Sequence, residues 1–176
     1  ISAHLCAALA ALHRAGMLHR DTKASNVRRT ANGRIVLVDF GSGRDLSDAT
    51  ASEQLVGTPL YLAPELLEGG AATVHSDLYS VGVLLYHLLT NSYPVQGRTI
   101  ADLRKAHSSA EAASVRRARP DTPRRIAALI DRAIHPSPDV RFIRAAEMES
   151  ALRSARAFPR RLALVASAVA TFTAAT

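Results

Sequence analysis

Residues 19–26 read His-Arg-Asp-Thr-Lys-Ala-Ser-Asn, a polar and irregular stretch set between two very different neighbours. On its C-terminal side a short extended stretch leads to Asn32-Gly33 and then to the apolar run Ile35-Val36-Leu37-Val38. Asn-Gly between two short β-type runs predicts a hairpin. Asp39-Phe40-Gly41 follows the second run directly, and residues 42–64 are rich in Ser, Thr, Gly and Asp with little periodicity, which predicts a long loop of the functional kind. That loop closes on Ala63-Pro64-Glu65. On the N-terminal side, Leu5, Leu9 and Leu12 fall on one face of a predicted helix over 2–15, with Gly16 as its stop.

Further along, the pattern is helical. Ser76 is expected to cap a helix reaching Thr90, in which Val81, Leu84, Leu85, Leu88 and Leu89 make much of the circumference apolar, so it belongs in the core. Ile100–His107 reads as a shorter helix. Thr122-Pro123 serves as N-cap and first turn of a helix through Ile134, and a last one runs from Ala145 to Arg156. Residues 108–121 are polar and basic and suggest no element. The chain therefore reads as one mainly helical unit with a small hairpin.

Composition bounds the chemistry. The chain has 176 residues, 48% of them hydrophobic and 21% charged, which provides one sizeable core and excludes wholesale disorder. Lys plus Arg is 22 against 15 for Asp plus Glu, a net charge of +7 that suits anionic partners. Basic residues are scattered without aromatic interleaving, and aromatics are only 5%, so no nucleic-acid partner is expected. The single cysteine, Cys6, excludes an intrachain disulfide and a Cys-based zinc site, and it is expected to be a buried small hydrophobe in a reducing compartment. The seven histidines show no metal-ligand spacing, and only His19 reads as positioned by function. Gly41-Ser42-Gly43 is not followed by Gly-Lys-Ser/Thr, so it reads as loop flexibility, and Phe40 reads as packing.

Taken singly, Asp21 after Arg20 reads as a surface ion pair, Asn26 as a turn cap and Asp39 as a strand-end cap. Taken together and in order, His19-Arg20-Asp21 with Lys23 and Asn26, Asp39-Phe40-Gly41 and Ala63-Pro64-Glu65 resemble the signature set of protein kinases. The resemblance covers residues 1–156 and is to the C-lobe of an α+β protein-kinase-like fold, of the eukaryotic-like, bacterial receptor-type Ser/Thr class. It implies transfer of the ATP γ-phosphoryl group to Ser/Thr hydroxyls of protein substrates, including autophosphorylation, with dimerisation to allow it in trans. The cofactors implied are ATP and Mg²⁺, with Mn²⁺ as a substitute.

The same resemblance distributes roles. Asp21 would accept or orient the proton of the acceptor hydroxyl, and Lys23 would face the γ-phosphate. Asn26 and Asp39 would offer oxygens to Mg²⁺, which prefers hard oxygen ligands. His19 would be scaffolding. Arg20 would pair with a phosphorylated side chain in the long loop, for which Thr50 and Ser52 are the candidates. Thr58 would line the substrate site. Glu65 would pair with Arg141, where Phe142 stands in place of the usual Pro. Asp77 would hydrogen-bond the backbone of the catalytic loop, or serve as a helix N-terminal charge, or both.

The glycine-rich loop, the strand lysine of V-A-I-K and its glutamate, which belong to the smaller lobe of such kinases, are not in this sequence. Ile1 opens within an amphipathic segment, so the N-lobe is expected to lie upstream of it, and the isolated chain is expected to be inactive. Residues 157–161 continue a basic stretch, and 162–176 carry no charge. Those fifteen residues would reach only about 22 Å as a helix against a hydrocarbon core of about 30 Å, and they read as the start of a truncated transmembrane helix. The basic flank would hold the kinase on the cytoplasmic side of the cell membrane, anchored by a single span. The competing readings are a pseudokinase or kinase-like scaffold and a small-molecule phosphotransferase of related fold. The intact Asp21, Lys23, Asn26 and Asp39 argue against the first, and Gly57-Thr58-Pro59 through Glu65 against the second.

Overall fold

A computed structural model describes residues 2–39, 58–108 and 114–155. The fold is mainly helical, with one two-stranded antiparallel sheet. Helix α1 spans Ser2–Arg14 and buries Leu5, Cys6, Leu9 and Ala10, two adjacent columns of one helical face. Gly16 follows at φ +73°, the left-handed conformation that ends a helix. Burial pushes the Cys6 thiol up to about 12, so it is an apolar packing group and not a nucleophile.

Strands β1 (Val27–Arg29) and β2 (Ile35–Leu37) pair with Val27 opposite Leu37 and Arg29 opposite Ile35. The ladder extends beyond both ends: Val38 N–H donates to the Asn26 carbonyl at 2.9 Å, and Thr30 N–H to the Arg34 carbonyl at 2.9 Å. The tip is thus a three-residue loop, Ala31-Asn32-Gly33, with Gly33 at φ +80° while Asn32 stays at negative φ. This is the type I turn plus left-handed glycine arrangement, and not a two-residue turn.

Helix α2 is a single turn, Pro64–Leu67. Helix α3, Val74–Thr90, is about 25 Å long, and every residue from Ser76 to Tyr86 is buried, so the other elements pack around it. Its N-cap is Thr73 and not Ser76. Thr73 Oγ1 accepts from Ser76 N–H at 3.3 Å, and Ser76 Oγ accepts from Thr73 N–H at 2.9 Å, a reciprocal capping box that moves the start of the helix back. The correction moves Asp77 from the first helical position to the fourth, still within the first turn, where its carboxylate is 2% exposed. Asn91 at φ +53° closes the other end.

Helix α4 spans Ile100–Ser108, α5 Val115–Ala118, and α6 Arg124–Ala133. The short α5, absent from the sequence reading, is held by Asp131, whose carboxylate accepts from Val115 N–H at 2.8 Å and Ser114 Oγ at 3.2 Å. Pro123, and not Thr122, is the N-cap of α6. The Thr122 side chain is buried and its hydroxyl has no partner among the described residues, so it caps nothing. A last helix, α7, occupies 145–155 and buries Ala145, Met148 and Leu152. Helix α6 turns Ala127, Ile130 and Ala133 inward against α3 at Gly82, where an added Cβ would lie 2.8 Å from both Ala133 Cβ and Ile134 Cγ2. The sheet packs on α1 through β2, which brings the loop between them to the N-terminal end of α3.

Candidate active site

Residues 17–26 leave α1 and run to the start of β1 past the N-terminus of α3, and the first consequence is a set of bonds to one carboxylate. His19 N–H donates to Asp77 Oδ2 at 2.8 Å and Arg20 N–H to Asp77 Oδ1 at 2.8 Å. These bonds hold Arg20 at φ +65°, a left-handed conformation that costs a residue with a Cβ about 1–3 kcal/mol when a site imposes it. His19 is 1% exposed and bonded at both ring nitrogens: Nδ1 accepts from Asp21 N–H at 3.3 Å, and Nε2 lies 3.2 Å from the Val38 carbonyl. A carbonyl can only accept, so Nε2 carries the proton. Through that ring the loop is tied to the strand end that carries Asp39.

Asp21 is thereby fixed by its backbone, and its side chain is divided between two environments. Oδ2 lies 2.7 Å from Lys23 Nζ and accepts from Asn26 Nδ2 at 3.0 Å. Oδ1 is buried and has no hydrogen-bond partner among the described residues. Asn26 also donates from Nδ2 to the Asp21 carbonyl at 2.8 Å, so its amide nitrogen is spent within the loop and its oxygen faces away. Among the described residues that oxygen has only a long contact from Ser25 Oγ, at 3.5 Å. Asp39 follows Val38 at φ +58°, exposed, beside the Asn26–Val38 backbone bond. Two hard oxygens on neighbouring strand ends fit a divalent ion whose other ligands are phosphate oxygens. Among the described residues no group of three His, Cys, Asp or Glu side chains could hold a metal by itself.

Arg141 and Glu65 meet across 76 positions of sequence. Nη1 bonds Oε1 and Nη2 bonds Oε2, each at 2.8 Å, and Nε donates to the His135 carbonyl at 2.7 Å. The remaining donors reach the His75 carbonyl at 3.2 Å and the Pro136 carbonyl at 2.8 Å. All five guanidinium N–H groups are used, while Arg141 is fully buried over the Tyr79 ring. Phe142, where the resemblance expects Pro, is buried in the core beneath the Arg132 guanidinium, and the charge pair is intact.

Asp21, Lys23, Asn26, His19, Arg20 and Asp77 are therefore brought together, and Asp39 adjoins them. Glu65 and Arg141 form a separate pair, with Arg141 fully buried and the Glu65 side chain 22% exposed. Thr58 opens the turn Thr58–Tyr61, whose Tyr61 carbonyl accepts from Ser80 Oγ on α3 at 2.8 Å. Thr50, Ser52, Phe40 and Gly41-Ser42-Gly43 lie outside the described residues, as do 157–161 and 162–176; no helix among the described residues is long and apolar enough to cross a membrane. One residue was missed. His13, on α1, bonds Asp77 Oδ2 from Nε2 at 2.9 Å, so His19 is not alone among the histidines in reaching this network. Its spacing of four from Leu9 was the available signal.

A family model described as protein kinase domain matches residues 1–152. The chain belongs to the protein kinase domain family. It is 32% identical over 157 residues to serine/threonine-protein kinase PrkC of Bacillus subtilis, covering 88% of this chain and 24% of that protein. It is 33% identical over 156 residues to serine/threonine-protein kinase PknB of Mycolicibacterium smegmatis, covering 86% and 25%. Against serine/threonine-protein kinase PknL of Mycobacterium tuberculosis identity reaches 46%, over 91 residues. The chain spans about a quarter of the length of these curated relatives. Within the kinase domain, the mainly helical described residues and their two-stranded sheet correspond to the C-lobe.

Proposed function

We propose that the full-length protein is a Ser/Thr protein kinase and that this C-lobe carries its transfer site. The observation that carries the proposal is the Asp21 carboxylate, with Oδ2 held by Lys23 and Asn26 and Oδ1 buried without a partner among the described residues. An orphaned carboxylate oxygen in such a place is suited to an acceptor hydroxyl. That hydroxyl oxygen would attack the γ-phosphorus as the bond to the β,γ-bridging oxygen breaks and ADP leaves, its proton passing to Asp21. Bound Mg²⁺ supplies charge neutralisation on the phosphates, and Asn26 and Asp39 are the residues to hold it. Lys23, 2.7 Å from Asp21 Oδ2, adds a positive charge.

Arg20 is exposed at the edge of the site, a position that supports pairing with a phosphate on Thr50 or Ser52, placed there by autophosphorylation between two copies. Residues 1–176 alone, without a glycine-rich loop or V-A-I-K lysine, would transfer little phosphate. The uncharged 162–176 behind a basic flank supports anchoring at the cytoplasmic face of the membrane.

The test is phosphate transfer from Mg-ATP by the full-length protein, wild type beside Asp21→Asn and Asp39→Asn, with a basic protein and the kinase itself as acceptors. Loss of about 10²- to 10⁴-fold in Asp21→Asn is expected. Mass spectrometry of the active protein should find phosphate within residues 47–58. A wild type that binds ATP and transfers nothing would overturn the reading in favour of a scaffold.

A further inference from the structure

The two faces of the hairpin differ in what they present. Val27, Ile35 and Leu37 pack against the core, and the register sets Val27 opposite Leu37 on that side. Alternation along the strands turns Arg28 and its partner Val36 to the opposite face, where both are exposed, Val36 by 38%. The same register carried one pair further sets Asn26 opposite Val38, through the bond from Val38 N–H to the Asn26 carbonyl. Asp39 follows Val38. The outer face of the hairpin thus begins at the candidate metal-holding residues and reaches an arginine two positions along β1, about 7 Å away at strand spacing.

That arginine serves nothing in the described fold. Arg104, Arg119, Arg132, Arg141 and Arg153 all donate to protein oxygens, whereas Arg28 makes no hydrogen bond or ion pair with any described residue. Across the strand it faces Val36, with Val38 as a diagonal neighbour, and neither offers a counter-charge. Arg29 and Arg34 are exposed as well, but they lie nearer the tip, and Arg29 pairs with Ile35 instead of Val36. A guanidinium is planar and weakly hydrated, and it stacks on aromatic faces as readily as it pairs with anions.

We infer that Arg28 is a nucleotide-binding residue, its guanidinium plane stacking against the purine ring of ATP on the outer face of the hairpin. The inference rests on the kinase reading, which puts the γ-phosphoryl group at Asp21 and Lys23 and the metal at Asn26 and Asp39. A triphosphate is a linear chain, so with its γ end at Asp21 the nucleoside end extends past Asn26 on the side away from Asp21. Arg28 lies on that side. The phosphate charge is already met by the metal and Lys23, and what arrives over Val36 and Val38 is an uncharged aromatic base, for which a flat cation on an apolar face is a suitable platform.

The test uses the full-length protein, wild type beside Arg28→Ala and Arg28→Lys, with the KM for ATP from transfer assays and the affinities of Mg-ATP, adenosine and inorganic tripolyphosphate from calorimetry. Arg28→Ala is expected to raise the KM for ATP and to weaken adenosine by a similar factor, about 3- to 30-fold, with tripolyphosphate unchanged. Arg28→Lys keeps the charge without the plane and should recover little of the loss. Wild-type affinity for ATP and adenosine in Arg28→Ala would overturn the inference. So would a loss confined to ATP and tripolyphosphate that lysine restores, the pattern of a phosphate contact. A wild type that binds Mg-ATP and transfers nothing ends the kinase reading, and adenosine binding by the three proteins still decides the role of Arg28; a wild type that binds neither nucleotide nor adenosine overturns both.

Discussion

Two buried polar residues show how differently the same environment treats satisfied and unsatisfied groups. Arg141 is fully buried with every guanidinium N–H bonded, two of them to Glu65. Arg141→Met strands the Glu65 carboxylate and the carbonyls of His75, His135 and Pro136, and a broken buried pair costs about 3–5 kcal/mol. Urea unfolding should show a lower midpoint by a corresponding margin. Thr122 is the opposite case, a buried hydroxyl bonded to nothing described. Thr122→Val keeps the shape and removes the orphan, so it should raise stability by about 1 kcal/mol in the same measurement. Neither behaviour is visible in the residue type. Thr122 before Pro123 has the sequence signature of an N-cap, and Arg141 reads as the partner of Glu65 only through the family resemblance.

At the level of elements, the start of α3 decides the geometry of the site. The Thr73–Ser76 capping box satisfies donors that the first turn would otherwise leave bare, and Asp77 sits on that turn. Thr73→Ala should destabilise the protein by about 1 kcal/mol, read from denaturant unfolding, and should increase amide exchange at Ser76 and Asp77. The hairpin is the second such element. Asn32-Gly33 revealed that a hairpin was present, while the ladder bonds of Thr30 and Val38 gave it a three-residue tip and aligned Asn26 with Val38. Register, and with it the placing of Asp39 next to the Asn26–Val38 bond, depends on bonds between strands that no single run of sequence contains.

Across the whole molecule, α3 is the element on which the others converge, and Gly82 is where it is approached most closely. Alanine there would gain about 1 kcal/mol of helix propensity, but its Cβ would stand 2.8 Å from Ala133 and Ile134. Forcing α6 away typically costs about 1–3 kcal/mol, so the contact should win. Gly82→Ala is expected to lower the thermal midpoint, and a rise would mean that α6 shifts freely. The same convergence explains why Asp77 can hold the candidate site: it lies where α1, α3 and the loop of residues 17–26 meet.

By itself the sequence pointed to the family, the order of the main elements and the candidate chemical side chains, because His19 to Asn26, Asp39 and Ala63 to Glu65 keep fixed local spacings around short-range structure. Helical periodicity likewise located α1, α3, α4 and α6 to within a few residues. The tertiary structure decided what packing decides: that Thr73 caps α3, that Asp131 builds α5, that Phe142 joins the core beneath Arg132, and that Asp21 has one committed oxygen and one without a partner among the described residues. It also decided the place of His13, whose partner stands 64 positions away. A pattern along the chain records which face of a helix is apolar, but the partner of a polar group on that face exists only once the helices have packed.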